Sequence, residues 1–335
     1  MNIIFTICSI NYLAQAKALG ESIHKHNSNY TFLIVLVDKI SQKPDIRSTS
    51  SSTIIEVEDL GITQFDAMCS LYNITELNTA VKPFAFHYFF DHFPEASTCI
   101  YFDPDILLYN PLTDLEILFK ENDIILTPHI TKPIEDEYFP RETDFLNAGL
   151  YNLGFIALKR SQNVFDFLHW WMSRLKDQCR IDFLNGLFVD QLWINFVPLF
   201  YKKVHILQHP GYNMAYWNLH ERKLSGSDGN YFVNEVYPLI FFHFSGYKIE
   251  KPYALSNYQN RFNFILRPDL TQLFIHYSEL VADNHHSEFS KITCFYYPPE
   301  KRTTAAFKKK ESRSVIKRNL LRITNYCFFY LKSKF

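Results

Sequence analysis

The 335-residue chain is long enough for about two domains, or equally for one α/β domain of about 200–250 residues with an extension. It holds only 9 glycines and neither a G-x-G-x-x-G nor a G-x-x-x-x-G-K-[ST] pattern, which argues against a glycine-rich phosphate loop. The net charge is −1, but residues 301–335 hold 11 Lys or Arg and one acid. Residues 1–300 therefore carry 23 bases, 34 acids and a net charge of −11. This acidic body argues against a nucleic-acid partner.

The first part of the chain alternates strand-like and helix-like segments. Residues 3–8 and 32–37 are apolar runs that predict buried strands, and apolar side chains at spacings of three and four predict a helix over 12–26. A Ser/Thr-rich loop at 48–52 leads to a third strand at 53–57. This order predicts a parallel sheet covered by helices.

The remaining predicted elements continue this α/β pattern. They are helices over 62–72 and 76–92 (the second interrupted by Pro83), a strand ending before Asp103, a helix over 111–119, strands over 124–127 and 153–158, a helix over 163–176, one or two strands within 231–244, and a helical extension over 261–291. Trp170 and Trp171, on the helix over 163–176, are expected in the core.

Acidic residues follow the strands of the predicted sheet. Asp38, Asp103 and Asp105 all stand at carboxyl ends of strands, where open α/β sheets bind ligands. The two carboxylates of Asp103-Pro104-Asp105 repel each other unless a cation lies between them, and hard oxygen ligands suit Mg²⁺ or Mn²⁺. The alternative is a strand end that turns through Asp-Pro-Asp.

The cysteines and the overall hydropathy indicate the compartment. The six cysteines are scattered without a C-x-x-C pair, so the sequence predicts neither a zinc site nor a disulfide framework. There is no apolar stretch of about 18 residues and no basic segment with a cleavage site at the N-terminus. We therefore expect a protein of the reducing cytoplasm.

A series of motifs over residues 3–253 resembles the retaining glycosyltransferases of GT-A fold, and in particular is similar to the glycogenin-like family 8 group of the bacterial polysaccharide-biosynthesis type. The matching segments are Thr6-Ile7-Cys8-Ser9-Ile10-Asn11-Tyr12, Thr79-Ala80-Val81-Lys82-Pro83-Phe84, Asp103-Pro104-Asp105, Tyr151-Asn152-Leu153-Gly154-Phe155, Phe188-Val189-Asp190-Gln191-Leu192-Trp193, and Phe242-His243-Phe244-Ser245-Gly246-Tyr247-Lys248 with Lys251-Pro252.

The resemblance implies a Rossmann-like, mixed but mostly parallel sheet with helices on both faces. It predicts a nucleotide-sugar-binding catalytic unit over 1–260, a helical extension over 261–300 and a basic amphipathic tail over 301–335. The sequence around Asn147 spells a similar motif to that at Asn152, but the family's strand is expected to follow Asn152 directly.

The resemblance implies a nucleotide site at the first strand-to-helix turn. Thr6, Cys8 and Ser9 would contact the nucleotide, and Tyr12 would stack on its base. The alternative for Tyr12 is packing under the sheet. Lys82 lies among apolar residues and needs an anionic partner or an escape to solvent; the family implies a diphosphate as the partner.

The metal ligands implied by the resemblance are Asp103, Asp105 and His243, and the imidazole favours Mn²⁺ over Mg²⁺. Gly246 would let the backbone approach the diphosphate. Lys248 or Lys251 would neutralise it, with the spacing before Pro252 favouring Lys251. A lone histidine after an apolar strand is otherwise usually a core residue.

The implied catalytic residues are three. Asn152 would contact the sugar, Gln191 would bond a sugar hydroxyl, and Asp190 would lie beside the reactive carbon. An N-cap is the alternative role for Asp190. For the acceptor we predict contacts with Tyr212, Asn213 and Trp217, in a segment rich in aromatic and amide side chains. The same composition also describes a packed turn.

These features predict a metal-dependent enzyme that transfers a sugar from a nucleotide-diphosphate sugar, with a UDP-sugar favoured, to a glycan or lipid-linked acceptor with retention. The alternatives are a non-catalytic carbohydrate- or nucleotide-binding module and a phosphohydrolase with Asp103 as nucleophile, which the leucine at position 107 disfavours. The basic, aromatic tail predicts peripheral contact with the inner face of an anionic membrane; a solvated terminus is the alternative.

Overall fold

The computed structural model describes residues 1–42 and 53–297. The Ser/Thr-rich loop at 48–52 and the predicted basic tail over 301–335 lie outside these residues. Within the described ranges, no helix combines the length and the apolar character needed to cross a bilayer.

The described residues form fourteen strands: six lie at individually predicted positions, three fall in the predicted 231–244 segment, and five were not predicted. They are β1 (Asn2–Cys8), β2 (Thr31–Leu36), β3 (Thr53–Glu56), β4 (Thr98–Phe102), β5 (Ile106–Leu108), β6 (Ile124–Pro128), β7 (Tyr151–Lys159), β8 (Ile181–Asp182), β9 (Leu187–Phe188), β10 (Val204–Ile206), β11 (Leu224–Ser227), β12 (Asn230–Val233), β13 (Tyr237–Pro238) and β14 (Phe241–His243).

The helices are α1 (Leu13–His26), α2 (Phe65–Leu71), α3 (Ile74–Ala80), α4 (Lys82–His92), α5 (Thr113–Leu118), α6 (Glu142–Ala148), α7 (Gln162–Gln178), α8 (Val197–Phe200), α9 (Thr271–Asp283) and α10 (His286–Phe289). The single helix predicted over 76–92 is divided into α3 and α4. The break falls at Val81, and Pro83 occupies the first turn of α4, where its missing N–H has no intrahelical partner to lose.

Seven strands form the central sheet in the order β10-β6-β7-β4-β1-β2-β3. β1 is parallel to β2 and β4, β2 to β3, and β6 to β10, whereas β7 runs antiparallel between β4 and β6. The predicted mixed, mostly parallel sheet is therefore confirmed. The 231–244 segment was predicted to give one or two strands but gives three short ones, and none joins the central sheet: β12 and β13 pair beside β11, and β14 pairs with β5.

Both faces of the sheet are covered, as near-continuous apolar strands require. On one face Phe5 of β1 meets Phe86 of α4 with ring centroids 4.7 Å apart, and the fully buried Trp171 of α7 belongs to the same core. On the other face Ile4 packs with Leu19 of α1. The core position predicted for Trp171 is thus confirmed.

Helix α9 packs against β14 and the residue that follows it. Phe274 of α9 packs against Phe242 and Phe244 with ring centroids 5.5 and 5.0 Å apart. Asp38 fixes the end of the described chain, because its carboxylate accepts hydrogen bonds from the backbone N–H groups of Ile10 and Phe295. Asp38 is buried and serves the fold.

Candidate active site

Two short strands bring together residues that are about 140 positions apart in the sequence. Asp103 directly follows β4, and Asp105 directly precedes β5. β5 pairs antiparallel with β14, and His243 stands opposite Ile106. The backbone N–H of Phe244 donates to the carbonyl of Asp105 at 2.8 Å. This register places the imidazole beside both carboxylates, as predicted.

The three side chains form a compact set of potential metal ligands. One ligand atom from each of Asp103, Asp105 and His243 lies within 4.8 Å of the others. Nε2 of His243 is 3.0 Å from Oδ1 of Asp105 and 3.6 Å from Oδ2 of Asp103. The imidazole is 3% exposed while the carboxylates are 32% and 21% exposed, so the oxygens face the open side of the site. Two carboxylates and one imidazole fit a divalent cation such as Mn²⁺ or Mg²⁺.

The pKa values of His243 and Asp105 depend strongly on each other. Burial by itself lowers the pKa of His243, but the carboxylates of Asp105 and Asp103 outweigh it and raise the pKa above 6.5. Burial by itself raises the pKa of Asp105, but His243 outweighs it and lowers that pKa. In this arrangement a cation is favoured among the three groups, whether a proton or a metal ion.

The imidazole of His243 packs directly against Gly154 of β7, where there is no room for a side chain. A Cβ atom at this position would contact Cε1 of His243 and lie only 2.7 Å from its Nδ1 and 2.9 Å from Oδ1 of Asn152. On another side, the ring of Trp217 meets the imidazole edge-on at 5.2 Å. The position of His243 therefore depends on the missing side chain at residue 154.

We expect Gly154→Ala to reduce metal-dependent activity by about a hundredfold, because a displacement of a ligand by about 1 Å costs about that factor. The affinity for Mn²⁺, measured by electron paramagnetic resonance of the free ion, should fall in parallel. A Gly154→Ala variant with unchanged Mn²⁺ affinity would show that the imidazole is not held by this contact.

A cavity of about 230 Å³ opens next to the carboxylates. Cys8, Ser9 and Tyr12 line it together with Asp103 and Asp105. The half-buried Tyr12 therefore faces the cavity and is not packed under the sheet.

Thr6 differs from the other residues predicted at the nucleotide. It is fully buried in β1 and is not among the residues that line the cavity. Ser9 donates its hydroxyl to the carbonyl of Val37 and accepts a hydrogen bond from the side chain of Asn78, which also lines the cavity. Ser9 thus holds the shape of the cavity through its neighbours.

The two lysines that compete for the diphosphate role have different positions. Nζ of Lys248 donates to the hydroxyl of Tyr12 at 2.8 Å and lies 5.3 Å from the centre of its ring. Both lysines are exposed and neither lines the cavity, so the contact with Tyr12, which does line it, is what favours Lys248 over Lys251 for the role. Gly246 has φ +72°, and a Cβ there would collide with the side chains of Ser256 and Tyr258, so its backbone conformation and its surroundings already require glycine.

Lys82 has an anionic partner within the protein. Its Nζ donates to Oδ2 of Asp190 at 2.6 Å and to the carbonyl of Leu153 at 2.8 Å, and it lies 4.3 Å from the ring centre of Tyr101. Both charged side chains are 3% exposed, so Lys82 neither reaches solvent nor stands free for a diphosphate.

Asp190 is held by this ion pair and not by a helix terminus. The helical turn Leu192–Phe196 begins after Gln191 and has no side-chain cap. Burial raises the pKa of the Asp190 carboxyl, and the ammonium group of Lys82 opposes that rise. Tyr101 connects the pair to the metal ligands, because its hydroxyl donates to Oδ1 of Asp103 at 2.6 Å.

Asn152 stands at the centre of a buried amide network. Its Oδ1 accepts from the backbone N–H of Gly154 and from Nδ2 of Asn213, both at 3.1 Å. Its Nδ2 faces Oε1 of Gln191 and Nε2 of His129, both at 3.4 Å. Asn152 lies on β7, whereas the similarly spelled Asn147 lies on α6.

His129 is a site residue that the sequence analysis does not predict. Because Oδ1 of Asn152 takes two donors, its Nδ2 must donate, and Nε2 of His129 must be unprotonated to accept. Burial lowers the pKa of His129 to about 4, which favours this neutral form. A single histidine after a predicted strand carries no sequence signal for such a role.

We expect the free energy of unfolding to fall by about 3 kcal/mol between pH 6.5 and 4 through His129 alone, since in this window the unfolded chain binds the proton more tightly. His129→Gln keeps an acceptor but does not titrate, so its stability should depend less on pH over the same window. Urea unfolding of both proteins at several pH values checks this. Parallel curves would contradict a neutral, buried His129.

The residues predicted at the acceptor are buried. Tyr212 is 1% exposed and packs on Phe241, Asn213 is fully buried and bonds Asn152, and Trp217 is 2% exposed beside His243. Burial leaves Tyr212 no surface for an acceptor, so its aromatic character serves packing. Asn213 and Trp217 support Asn152 and His243 from behind.

Two curated proteins are similar to the chain in sequence. No protein-family model matches the chain. The uncharacterized protein YfnF of Bacillus subtilis (strain 168) is 26% identical over 257 residues, which cover 73% of this chain and 81% of YfnF. YfnD of the same organism is 24% identical over 264 residues, covering 76% and 81%.

Among solved structures, the chain is similar to the apo structure of the bifunctional glycosyltransferase WbbM. The TM-score is 0.50 at 15% identity, and the match covers 87% of this chain and 51% of WbbM, so the chain spans about half the length of that protein. At this identity the similarity concerns the fold. The chain therefore has the Rossmann-like GT-A fold that its motifs predict.

Proposed function

We propose that the protein is a metal-dependent glycosyltransferase that moves a sugar from a nucleotide-diphosphate sugar, with a UDP-sugar as the favoured donor, to a glycan or lipid-linked acceptor with retention. The observation that carries this proposal is the convergence of Asp103, Asp105 and His243 beside the cavity lined by Tyr12. Two carboxylates and an imidazole meet where β4 and β14 end and β5 begins, next to the ring of Tyr12, and together they match what a nucleotide diphosphate and its cation need.

Asp103, Asp105 and His243 would hold the cation, Mn²⁺ in preference to Mg²⁺ because one ligand is an imidazole. When bound, it would act as a Lewis acid for the leaving diphosphate. Lys248 bonds the hydroxyl of Tyr12 and lies close enough to Asp105 to feel its charge, so its ammonium group would help to neutralise the diphosphate. Tyr12 would bind the base by stacking.

The environment of Asp190 supports a role in stabilising positive charge. Its carboxylate is buried and paired with Lys82, while the amide network of Asn152 and Gln191 lies on the adjoining backbone at Leu153. Because Asp190 is 3% exposed and already paired, it would stabilise an oxocarbenium-like carbon through its electrostatic field and not by direct contact. The diphosphate that leaves would help to deprotonate the acceptor on the same face of the sugar, which gives retention.

The test is a panel of nucleotide-diphosphate sugars incubated with the protein and Mn²⁺, read by release of free nucleotide. We expect release from one donor class, loss of release in EDTA and recovery on adding Mn²⁺. Tyr12→Ala should weaken nucleotide binding by about tenfold, in line with the loss of one base–aromatic stack. Nucleotide binding without release from any donor would favour a non-catalytic binding module instead.

A further inference from the structure

Eight large apolar side chains are exposed on the segments that flank Gln191 and on α6 with the residues just after it. We call this set the apolar patch; all its members are more than 40% exposed, and they are Leu146, Leu150, Ile181, Phe183, Leu184, Phe196, Leu199 and Phe200. Leu199 is 78% exposed and Leu184 is 71% exposed. Scattered apolar side chains are normal on a protein surface, but grouped ones mark an interaction site.

Part of the patch is built around α8. The rings of Phe196 and Phe200 stack with centroids 5.2 Å apart, and Phe200 rests edge-on against Trp170 at 5.8 Å. The backbone N–H of Leu150 donates to the side chain of Asn195 at 2.9 Å, which joins the segment after α6 to the same surface. Phe196, Phe200 and Leu150 are therefore held in place by contacts with the protein beneath them.

The remaining members stand on the β8–β9 hairpin. Ile181 pairs with Phe188, and the rings of Phe183 and Phe188 stack with centroids 5.4 Å apart. The hairpin leads directly into Asp190 and Gln191. The apolar patch therefore adjoins the site through the chain itself.

The charges around the patch favour an anionic partner. The segments that carry the patch, residues 141–150 and 174–203, hold six bases (Arg141, Arg174, Lys176, Arg180, Lys202 and Lys203) and five acids (Glu142, Asp144, Asp177, Asp182 and Asp190), and Asp190 is neutralised by Lys82. The rest of residues 1–300 is strongly acidic. With Asp190 paired, these two segments keep six bases against four acids, and a second copy docked by two-fold symmetry would place this excess positive charge against itself, which opposes self-association.

We propose that the apolar patch docks the protein on an anionic lipid surface. Leucine and phenylalanine side chains would enter the boundary between headgroups and acyl chains, and the neighbouring lysines and arginines would contact the headgroups. The purpose of this docking rests on the proposed function: it holds the Asp190–Gln191 side of the site at the bilayer, where a lipid-linked acceptor is presented.

The test is co-sedimentation of the full chain with vesicles of phosphatidylglycerol and phosphatidylethanolamine, compared with vesicles of phosphatidylcholine. We expect binding to the anionic vesicles. Leu199→Ser with Phe200→Ser, and separately Phe183→Ser with Leu184→Ser, should each weaken it by about tenfold or more, because each pair removes two large apolar groups. The matched control is Ile117→Ser with Val236→Ser, which are 63% and 69% exposed outside the patch and should bind as the unaltered chain does.

All these proteins keep residues 301–335, so binding through that segment alone would leave both patch variants unchanged and would overturn the proposal. A failure of the unaltered chain to bind anionic vesicles would overturn it as well. So would a dimer, detected by light scattering, that the patch variants dissociate without any change in vesicle binding.

Nucleotide release without vesicles separates this inference from the proposed function. The patch variants should keep that release at the unaltered rate. If no donor is cleaved but the patch variants still lose vesicle binding, the docking surface stands and the transferase proposal fails.

Discussion

Replacing Asp105 by asparagine is expected to reduce Mn²⁺-dependent nucleotide release by about a thousandfold, with little change in stability. The carboxylate offers a negatively charged oxygen 3.0 Å from Nε2 of His243, and the amide of asparagine is a neutral, weaker ligand. The same change also removes the charge that raises the pKa of His243. Asp103→Asn should act in the same direction, although Tyr101 continues to orient that side chain.

The measurement is nucleotide release against Mn²⁺ concentration, with thermal unfolding as the check on folding. Asp166→Asn is a suitable control, because Asp166 is an exposed carboxylate on α7 that bonds Gln162. Full activity of Asp105→Asn in EDTA would remove the metal from the mechanism and the carboxylate from the site.

The second large effect is on stability. Lys82→Met leaves the carboxylate of Asp190 buried without its partner, and breaking one side of a buried pair costs about 3–5 kcal/mol. The pKa of Asp190 should rise further without Lys82. The folded variant then holds this proton more tightly than the unfolded chain, so its free energy of unfolding should increase as the pH falls and decrease as the pH rises.

Urea unfolding at several pH values measures this effect. Lys82→Met combined with Asp190→Leu removes both charges and should recover most of the lost stability, because well-packed apolar residues replace a buried pair at little cost. The double variant should still lack nucleotide release if Asp190 acts as proposed. A single variant as stable as the unaltered chain would show that the pair is hydrated and not buried.

The local elements follow closely from the sequence because their patterns are local. The apolar runs before Asp38 and Asp103 predict β2 and β4 within one or two residues, and the predicted break near Pro83 occurs. The sequence spacing favours Lys251 over Lys248 for the diphosphate, whereas Lys248 is the lysine that contacts Tyr12, a contact that depends on the path of the chain after Gly246.

Contacts between distant segments escape such reasoning. The partner of Lys82 is Asp190, more than 100 residues away, and no periodic pattern indicates a contact of that kind. Tyr212 illustrates a second difficulty. Aromatic and amide residues suit a sugar site and a packed turn equally well, and only the burial of Tyr212 in the structure distinguishes the two.

By itself, the sequence determined the order of six of the seven central strands and of the longer helices, the α/β class and the residue types available for a metal site, because these depend on spacing along the chain. The tertiary structure decided which side chains meet. The β5–β14 register brings His243 to Asp105, and the path of β7 places Asn152 between His129 and Gln191. Such meetings depend on the packing of strands that are far apart in the chain, and a single sequence does not encode those distances in any local pattern.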